Sequence, residues 1–286
     1  MTVLEVIRRS TEFLAKKGVE PSRLQAELLL AHALNLPRMQ LYLKFEQGLA
    51  PAELDCVREL VRRRAQREPL QLITGSTSFC GLELAVNRHT LIPRPETELL
   101  AEQGWTFLNT LPVLPGEPVT ALDFGTGSGC LAIALAVKCP GARLCALDIS
   151  EPALRVAGQN AERHGVSERV RFYQGDGFAA LPADARFDLI IGNPPYIPTA
   201  EIDRLEPEVR DYDPREALDG GADGLDFYRR LAAEAGRWLK SAGKLMLEFG
   251  DGQSDALREL SRAENWVVEP IVADYTQRPR ILIAQK

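Results

Sequence analysis

Through residues 1–68, apolar side chains recur at intervals of three and four, the period of a helix with one buried face. Leu4, Ile7, Thr11 and Leu14 trace one such face, and Gly18 follows as a stop. Pro21 opens a second segment in which Leu24, Leu28 and Ala31 keep helical spacing up to Leu36-Pro37. Pro51 opens a third, with Leu54, Val57, Leu60 and Val61 inward and Arg58, Arg62, Arg63 and Arg67 outward. It must end by Pro69, which has no N–H to give a helix. The arginine row reads first as a solvated helix face and second as a partner-facing patch. From Gln71 to Val86 the period changes. The runs Leu72-Ile73-Thr74 and Leu82–Val86 predict a β-hairpin or an extended connector. The pattern divides the chain into a helical part over 1–70, a hairpin linker over 71–90 and a larger unit over 91–286.

After residue 115, strand-like and helical runs alternate. Val119–Phe124, Arg143–Leu147, Val170–Tyr173, Asp188–Ile191 and Lys244–Phe249 read as strands. Leu131–Lys138, Pro152–His164 and Leu225–Leu239 read as helices between them. That alternation predicts an α/β fold with a doubly wound, mostly parallel sheet. Two further runs, Trp266–Val272 and Arg280–Ala284, have no helix between them and fit a terminal antiparallel hairpin. Ligands of such sheets bind beyond the carboxyl ends of the strands, so the residues just after each strand carry the chemistry.

Composition narrows the classes. Of 286 residues, 45% are hydrophobic and 26% charged, which supports a packed core rather than disorder. The length suits a main domain of roughly 200 residues with a smaller companion. No apolar run approaches the ~18 residues of a spanning helix. The opening Met1-Thr2-Val3-Leu4-Glu5 lacks the apolar stretch of a secretory signal, so the expected location is cytoplasmic. A net charge of −6 argues against a protein whose main task is gripping nucleic-acid backbone. The charge is uneven: residues 1–90 carry 13 Lys/Arg against 10 Asp/Glu (+3), and the rest 21 against 30 (−9). The five cysteines show no CxxC pair and read as buried cytosolic thiols, while His32, His89 and His164 stand apart, so no metal site is expected.

The first strand ends in Leu122-Asp123-Phe124-Gly125-Thr126-Gly127-Ser128-Gly129. Alternate glycines allow a sharp turn and let a ligand approach where a Cβ would clash. A dinucleotide fingerprint would continue differently, because Cys130 stands where close packing asks for Gly or Ala. The next strand ends in Asp148, 19 residues past Gly129, where a carboxylate can accept from both ribose hydroxyls. At the third strand's end, Gln174-Gly175-Asp176 offers an acceptor suited to an adenine amino group. No Lys or Arg lies between Phe124 and Ala136 to hold a phosphate. A nucleoside without phosphates and with a cationic end fits this set, which describes S-adenosylmethionine; a nicotinamide cofactor and a purely structural turn are the alternatives. Asp123 could meet the donor's ammonium or orient the loop.

The fourth strand delivers Asn193-Pro194-Pro195-Tyr196 to the same edge. An amide or exocyclic amino nitrogen has a delocalised lone pair, and it must present that pair along the S–CH3 axis to attack. The Asn193 side-chain oxygen and the Pro194 carbonyl can each accept one N–H of such an NH2 group and fix its orientation. Pro194 and Pro195 hold the carbonyl rigidly and remove competing donors. Tyr196 offers a ring to pack against the planar group. This pair of motifs resembles the methyltransferases of planar NH2 groups, which act on nucleic-acid bases or on glutamine amides in proteins.

The rest of the chain is similar to one family among these. Leu91-Ile92-Pro93-Arg94-Pro95-Glu96-Thr97-Glu98, Pro69–Gly75 before Phe79, Glu216–Leu225 and Leu247-Glu248-Phe249-Gly250 resemble segments of the bacterial peptide chain release factor N5-glutamine methyltransferases. The resemblance runs from about residue 5 to the end. It implies a class I S-adenosylmethionine-dependent methyltransferase with a seven-stranded sheet and a small N-terminal helical domain that recognises the protein substrate. It also implies methyl transfer to the glutamine of a release factor's Gly-Gly-Gln motif, with S-adenosylhomocysteine as the other product, by a cytoplasmic monomer that needs no nucleic acid, membrane or metal. By the same resemblance, Gly125, Thr126, Gly127, Ser128, Gly129, Asp148 and the residues at Asp176 contact the donor, with Asp123 at the loop's start. Asn193, Pro194, Pro195 and Tyr196 hold the glutamine, and Asn193 borders the donor as well. One departure stands out: after the third-strand Asp the family often has Trp-Phe, where this chain has Gly177-Phe178. Gly177 cannot stack on adenine, which leaves Phe178 as the candidate. Glutamine methylation of a ribosomal protein and amino-methylation of nucleic acid remain the competing functions.

Overall fold

The computed structural model describes residues 1–112 and 117–286, which form two compact units, Met1–Ser76 with Glu206–Tyr212 and Thr77–Leu205 with Asp213–Lys286. In the first unit, α1 (Val3–Lys16) begins with a reciprocal cap. The Glu5 N–H donates to the Thr2 hydroxyl at 3.3 Å, and the Thr2 N–H donates to the Glu5 carboxylate at 3.0 Å. Val3, Val6, Ile7 and Leu14 are buried on one face. Helix α2 (Ser22–Ala33) buries Ala26, Leu29, Leu30 and Ala31 and leaves Leu24 exposed, a stripe rotated from the one its leucines suggest. The stripe includes a buried charge. Glu27 sits inside the stripe, with both carboxylate oxygens 3.0 Å from the Tyr42 hydroxyl and ion pairs to Arg23 and Arg38. Helix α3 (Pro51–Ala65) packs Val57, Leu60 and Val61 inward, and its arginines are engaged. Arg58 and Arg62 pair with Asp55 and Glu59 along the exposed face, and Arg63 pairs with Glu68. Arg64 is buried and donates to Gln25, the Glu68 carbonyl and Glu208, while Arg67 pairs with Glu206 and Glu208.

Leu72-Ile73-Thr74 is helical rather than extended. It belongs to α4 (Leu70–Thr74), which starts at Pro69, buries Ile73 and ends at Gly75 in the left-handed region. A three-residue apolar run carries no period, so burial decided its conformation. The hairpin is instead β1 (Ser76–Phe79) and β2 (Leu82–Ala85), joined by Cys80-Gly81. Both turn residues have positive φ, as a two-residue hairpin turn that follows the strand twist requires.

In the second unit, α5 (Pro95–Thr110) precedes a sheet built from β3 (Val119–Phe124), β4 (Ala142–Asp148), β5 (Val170–Gln174), β6 (Phe187–Gly192) and β7 (Leu239–Glu248). Helices α6 (Cys130–Lys138) and α7 (Glu151–Arg163) connect the first three strands, and α9 (Asp226–Glu234) precedes β7; the short α8 (Pro207–Arg210), between β6 and α9 in the chain, belongs to the first unit. Then come α10 (Ser254–Ala263), β8 (Val267–Val268), β9 (Val272–Ala273) and β10 (Pro279–Gln285). The order is β5-β4-β3-β6-β7-β10-β8, with β9 also on β10. The first five strands pair in parallel, and β10 runs antiparallel to β7. The fold class is thus the doubly wound, mostly parallel sheet that the alternation predicts, and eight strand segments fill seven positions. The outermost position is split because Pro270, between β8 and β9, offers no N–H to the ladder. Helix α10, which the alternation does not predict, has only two large apolar residues, Leu257 and Leu260, at helical spacing. The two sheet faces carry separate cores, one around Leu100, Leu135 and Leu189, the other around Phe178, Phe187 and Phe249. Winding reverses at β3, which lies between β4 and β6, so a crevice opens at the carboxyl ends of these strands.

Candidate active site

The crevice holds a cavity of about 210 Å³. Gly125 and Gly127 form its floor at the end of β3, where Leu147, the penultimate residue of β4, accepts from the N–H groups of Gly125 and Thr126, both at 2.9 Å. Both glycines have positive φ, and a Cβ on either would project into open space. Gly129 serves another purpose. A Cβ there would come within 2.8 Å of Ile133 and 3.0 Å of Ala157, so its absence lets α6 and α7 pack together. Thr126, Ser128 and Gly129 do not line the cavity; they shape the loop from behind. Asn160 on α7, fully buried, fixes that shape. Its amide nitrogen donates to the Ser128 carbonyl at 2.9 Å and the Ala85 carbonyl at 3.0 Å, and its oxygen accepts from the Ala85 N–H at 2.7 Å.

Asp123 lies beneath the loop, and its orienting role is the one seen here. One carboxylate oxygen accepts from the Thr126 hydroxyl at 2.6 Å and the Ala132 N–H at 3.1 Å. The other is buried with no hydrogen-bond partner, and burial pushes the carboxyl up to about 7. Asp148 lines the cavity. It accepts from the Gly127 N–H at 2.8 Å and the Ser150 N–H at 2.9 Å, and burial raises its pKa, with Glu216 adding repulsion. Asp176 and Gly177 also line it, and Asp176 is paired with Arg230 of α9 through both its carboxylate and its carbonyl, the latter at 2.6 Å. Gly177 leaves room for that guanidinium, which a Cβ would strike.

Phe178 is not at the cavity. It is 1% exposed, stacked on Trp238 at 5.5 Å and tilted against Phe124, so the expectation that it stacks on adenine is corrected. The apolar walls at this end are Ile149 and Phe227, neither of which the sequence reading singled out. Ile149 directly follows Asp148, and its 60% exposure beside a buried strand end is the signal that structure supplies. His89, Thr90, Leu91, Glu216 and Ala217 complete the rim; three of these fall inside the segments that resemble the family, without an assigned role.

Asn193, Pro194 and Pro195 reach the cavity from the end of β6. Gly192 brings them beside the glycine loop, since a Cβ there would lie 2.6 Å from the Phe124 carbonyl. The stretch after them is held by the glycine-rich segment Gly220–Gly224. The Gly220 N–H donates to the Ile197 carbonyl at 2.9 Å, and Gln253 donates to the Tyr196 carbonyl at 3.0 Å. Tyr196 packs its ring against Gly250 outside the cavity lining. Burial pushes its phenol up to about 12, with Glu248 adding to the shift, so it is a neutral hydroxyl. Behind Asn193 stand Thr97 of α5 and Glu248 at the end of β7, both buried. The Asn193 amide nitrogen donates to the Thr97 hydroxyl at 3.2 Å, and that hydroxyl donates to Glu248 at 2.6 Å. Burial pushes the Glu248 carboxyl up to about 7.

These features fit the donor read from the sequence. Two glycine positions open onto the cavity, and the Asp148 carboxylate lines it at the end of β4. No cluster of metal-binding side chains occurs among the described residues, and none of their helices is long and apolar enough to cross a membrane.

Comparison with known proteins sets the site in context. The family pattern described as the PrmC N-terminal domain matches residues 5–75, and the methyltransferase small domain pattern matches residues 104–205. The release factor glutamine methyltransferase of Geobacter sulfurreducens is 47% identical over 256 residues, covering 90% of this chain and 87% of its own. That of Chlorobaculum tepidum is 42% identical and covers 98% of this chain and 95% of its own. Among solved structures, a methyltransferase from Pyrococcus furiosus matches with a TM-score of 0.51 at 21% identity, over 78% of this chain and 97% of its own. The N-terminal domain of human METTL16 in complex with SAH matches with a TM-score of 0.52 at 16% identity, over 72% and 76%. The two structures share the fold; the sequence relatives share nearly the whole chain at over 40% identity, and the chain therefore belongs to the release factor glutamine methyltransferase family.

Proposed function

We propose that the chain transfers a methyl group from S-adenosylmethionine to the side-chain amide nitrogen (N5) of the glutamine in the Gly-Gly-Gln motif of a peptide chain release factor. The observation that carries this reading is the meeting of Asn193-Pro194-Pro195 with Gly125, Gly127 and Asp148 around one cavity. Bound there, S-adenosylmethionine supplies an electrophilic methyl on a sulfonium and leaves as S-adenosylhomocysteine. Asp148 would accept from the ribose hydroxyls, Ile149 and Phe227 would flank the adenine, and the glycine floor would give the donor close backbone contact. At the other end, the Asn193 side-chain oxygen and the Pro194 carbonyl accept the two N–H groups of the glutamine amide and aim its nitrogen at the methyl. The N–CH3 bond would form as the S–CH3 bond breaks, sulfur keeping that electron pair, and the nitrogen would recover its lone pair by releasing one proton to water. Tyr196, a neutral hydroxyl packed on Gly250, braces the loop rather than acting as a base.

The setting is cytoplasmic, the enzyme a monomer, and the partner a protein. Amino-methylation of nucleic acid is disfavoured because Arg58, Arg62, Arg63, Arg64 and Arg67 each have a carboxylate partner within the first unit, which leaves that helix little net positive face. Mass spectrometry of release factors incubated with enzyme and donor tests the reading: one added methyl on the motif glutamine is expected. No methyl on release factors, with label entering ribosomal protein or nucleic acid, would replace it with one of those substrates. Asn193→Ala should abolish turnover and leave donor affinity nearly unchanged; a matching loss of donor binding would refute its assignment to the glutamine.

A further inference from the structure

The geometry points to Thr97 and Glu248 as positioning residues that select which end of the Asn193 amide faces the acceptor. This deepens the proposed reading and rests on Asn193 holding the glutamine. A primary amide is nearly symmetric in shape, so packing alone does not choose between its oxygen and its NH2. Only the oxygen can accept an N–H from the substrate, and a flipped Asn193 would present a donor to a donor.

The choice is made two bonds back. The Thr97 hydroxyl has one proton, and it goes to Glu248 at 2.6 Å. Its lone pairs are then all that remain for the group at 3.2 Å, which must be the Asn193 NH2. The Asn193 oxygen is left on the cavity side. The arrangement holds while Glu248 is ionised, and the Asn193 amide itself helps to keep it so. Neither Thr97 nor Glu248 lines the cavity, so neither touches the substrate or the donor. Both are buried, Thr97 at 3% and Glu248 at 1% exposure, which fixes their side chains.

Protonation reverses the logic. A neutral Glu248 can donate to Thr97, which frees the Thr97 proton to turn toward Asn193 and favours the flipped amide. The groups that face Glu248 are Glu96, which favours its neutral form, Arg280, which favours the charged form, and the phenols of Tyr196 and Tyr228. With the carboxyl at about 7, the wild-type turnover should fall as pH drops through that value.

The test compares Asn193→Ala, Thr97→Val, Thr97→Ser and Glu248→Gln with the wild type, measuring kcat for methyl transfer to a release factor, donor affinity by calorimetry and thermal stability. Thr97→Val keeps the shape and removes the hydroxyl. It should lower kcat on the order of 100-fold, the scale of a misaligned reacting group, with donor affinity retained. Thr97→Ser should restore most of the activity, and the acid limb of the wild-type profile should vanish in Thr97→Val. Glu248→Gln, which offers Thr97 either a donor or an acceptor, should also lose kcat and provides the test if Thr97→Val is unstable. Unchanged kcat in folded Thr97→Val or Glu248→Gln overturns the proposal, as does a loss of donor affinity equal to the loss of kcat. If Asn193→Ala itself retains turnover, the underlying assignment of Asn193 fails instead.

Discussion

Replacing Asn160 by aspartate should destabilise the second unit, and by an amount that grows with pH. The side chain keeps its size and its acceptor for the Ala85 N–H at 2.7 Å, but its two N–H donors become an oxygen. That oxygen would face the carbonyls of Ala85 at 3.0 Å and Ser128 at 2.9 Å, in a site with no solvent exposure. In its protonated form the introduced acid can donate to one of the two carbonyls, so the other is left bare, at a cost of about 1–3 kcal/mol. In its ionised form it serves neither, so the folded state holds the acid above its unfolded pKa of about 3.9. The sign follows: the unfolded chain ionises first, and stability is lost as pH rises above about 4, at about 1.4 kcal/mol per unit until the folded pKa is reached. Between pH 5 and 7 the variant should therefore lose about 2.7 kcal/mol more than the wild type does, if the folded pKa lies at or above 7. All three tryptophans, Trp105, Trp238 and Trp266, lie in the second unit, so urea unfolding followed by their fluorescence reports on that unit. A difference between variant and wild type that is below about 1 kcal/mol at pH 7, or equal at pH 5 and 7, would show that Asn160 does not hold the loop in the way described.

Three further outcomes separate the parts of the glycine loop from its acid. Asp148→Asn keeps the shape but turns one of two oxygens that accept the Gly127 and Ser150 N–H groups into a donor, so unfolding should cost about 1–3 kcal/mol, and the lost charge behind the proposed ribose contacts should weaken donor affinity by about 10- to 100-fold in calorimetry. Gly129→Ala should cost about 2 kcal/mol in unfolding experiments, because its Cβ meets Ile133 and Ala157 at a left-handed φ. Gly127→Ala, whose Cβ meets nothing, should cost only about 1 kcal/mol of backbone strain, and its main effect should be on donor affinity, where the methyl intrudes on the cavity.

Much of this was legible in the sequence where chemistry and backbone geometry coincide. Strands such as Val119–Phe124 are bounded by a glycine loop and filled with buried side chains, so their limits follow from the pattern itself. The sheet's edge was less legible: Pro270 splits a run that hydrophobicity alone reads as continuous, and α10 marks its helical face with only two large apolar residues, Leu257 and Leu260. At the site, residues placed by backbone turns were readable, among them Gly125, Gly127, Asp148 and Asn193. What was not readable depends on side-chain direction. Phe178 turns into the core beside Trp238 because its strand end leads into a short helical turn, and the apolar wall comes from Ile149 and Phe227. Asn160, Thr97 and Glu248 lie 32 to 151 residues from the groups they hold, and no local spacing encodes such pairs.

The placement of charge around the cavity follows from what the proposed reaction does with it. Methyl transfer discharges a sulfonium and places the positive charge on an amide nitrogen that was neutral. A bare carboxylate against the methyl would stabilise the bound cation before reaction at least as well as during it, and binding shared equally by ground and transition state does not speed the chemical step. The acids that burial raises to about 7, Asp123 and Glu248, are both kept off the cavity lining. Asp123 works through the Thr126 hydroxyl and the Ala132 amide, Glu248 through Thr97. Of the carboxylates that do line the cavity, Asp148 sits at the end of β4, where the proposed reading holds hydroxyls rather than the sulfonium, Asp176 is paired with Arg230, and Glu216 lies on the rim. The reacting end is left to the neutral dipoles of Asn193 and Pro194, which gain strength only as the amide N–H groups become more acidic during attack. On this argument Asn193→Asp is a worse substitution than its small size change suggests: it keeps an acceptor, but it sets a charge where the proposed reaction uses neutral dipoles, and it should bind donor at least as well as the wild type while turning over far more slowly.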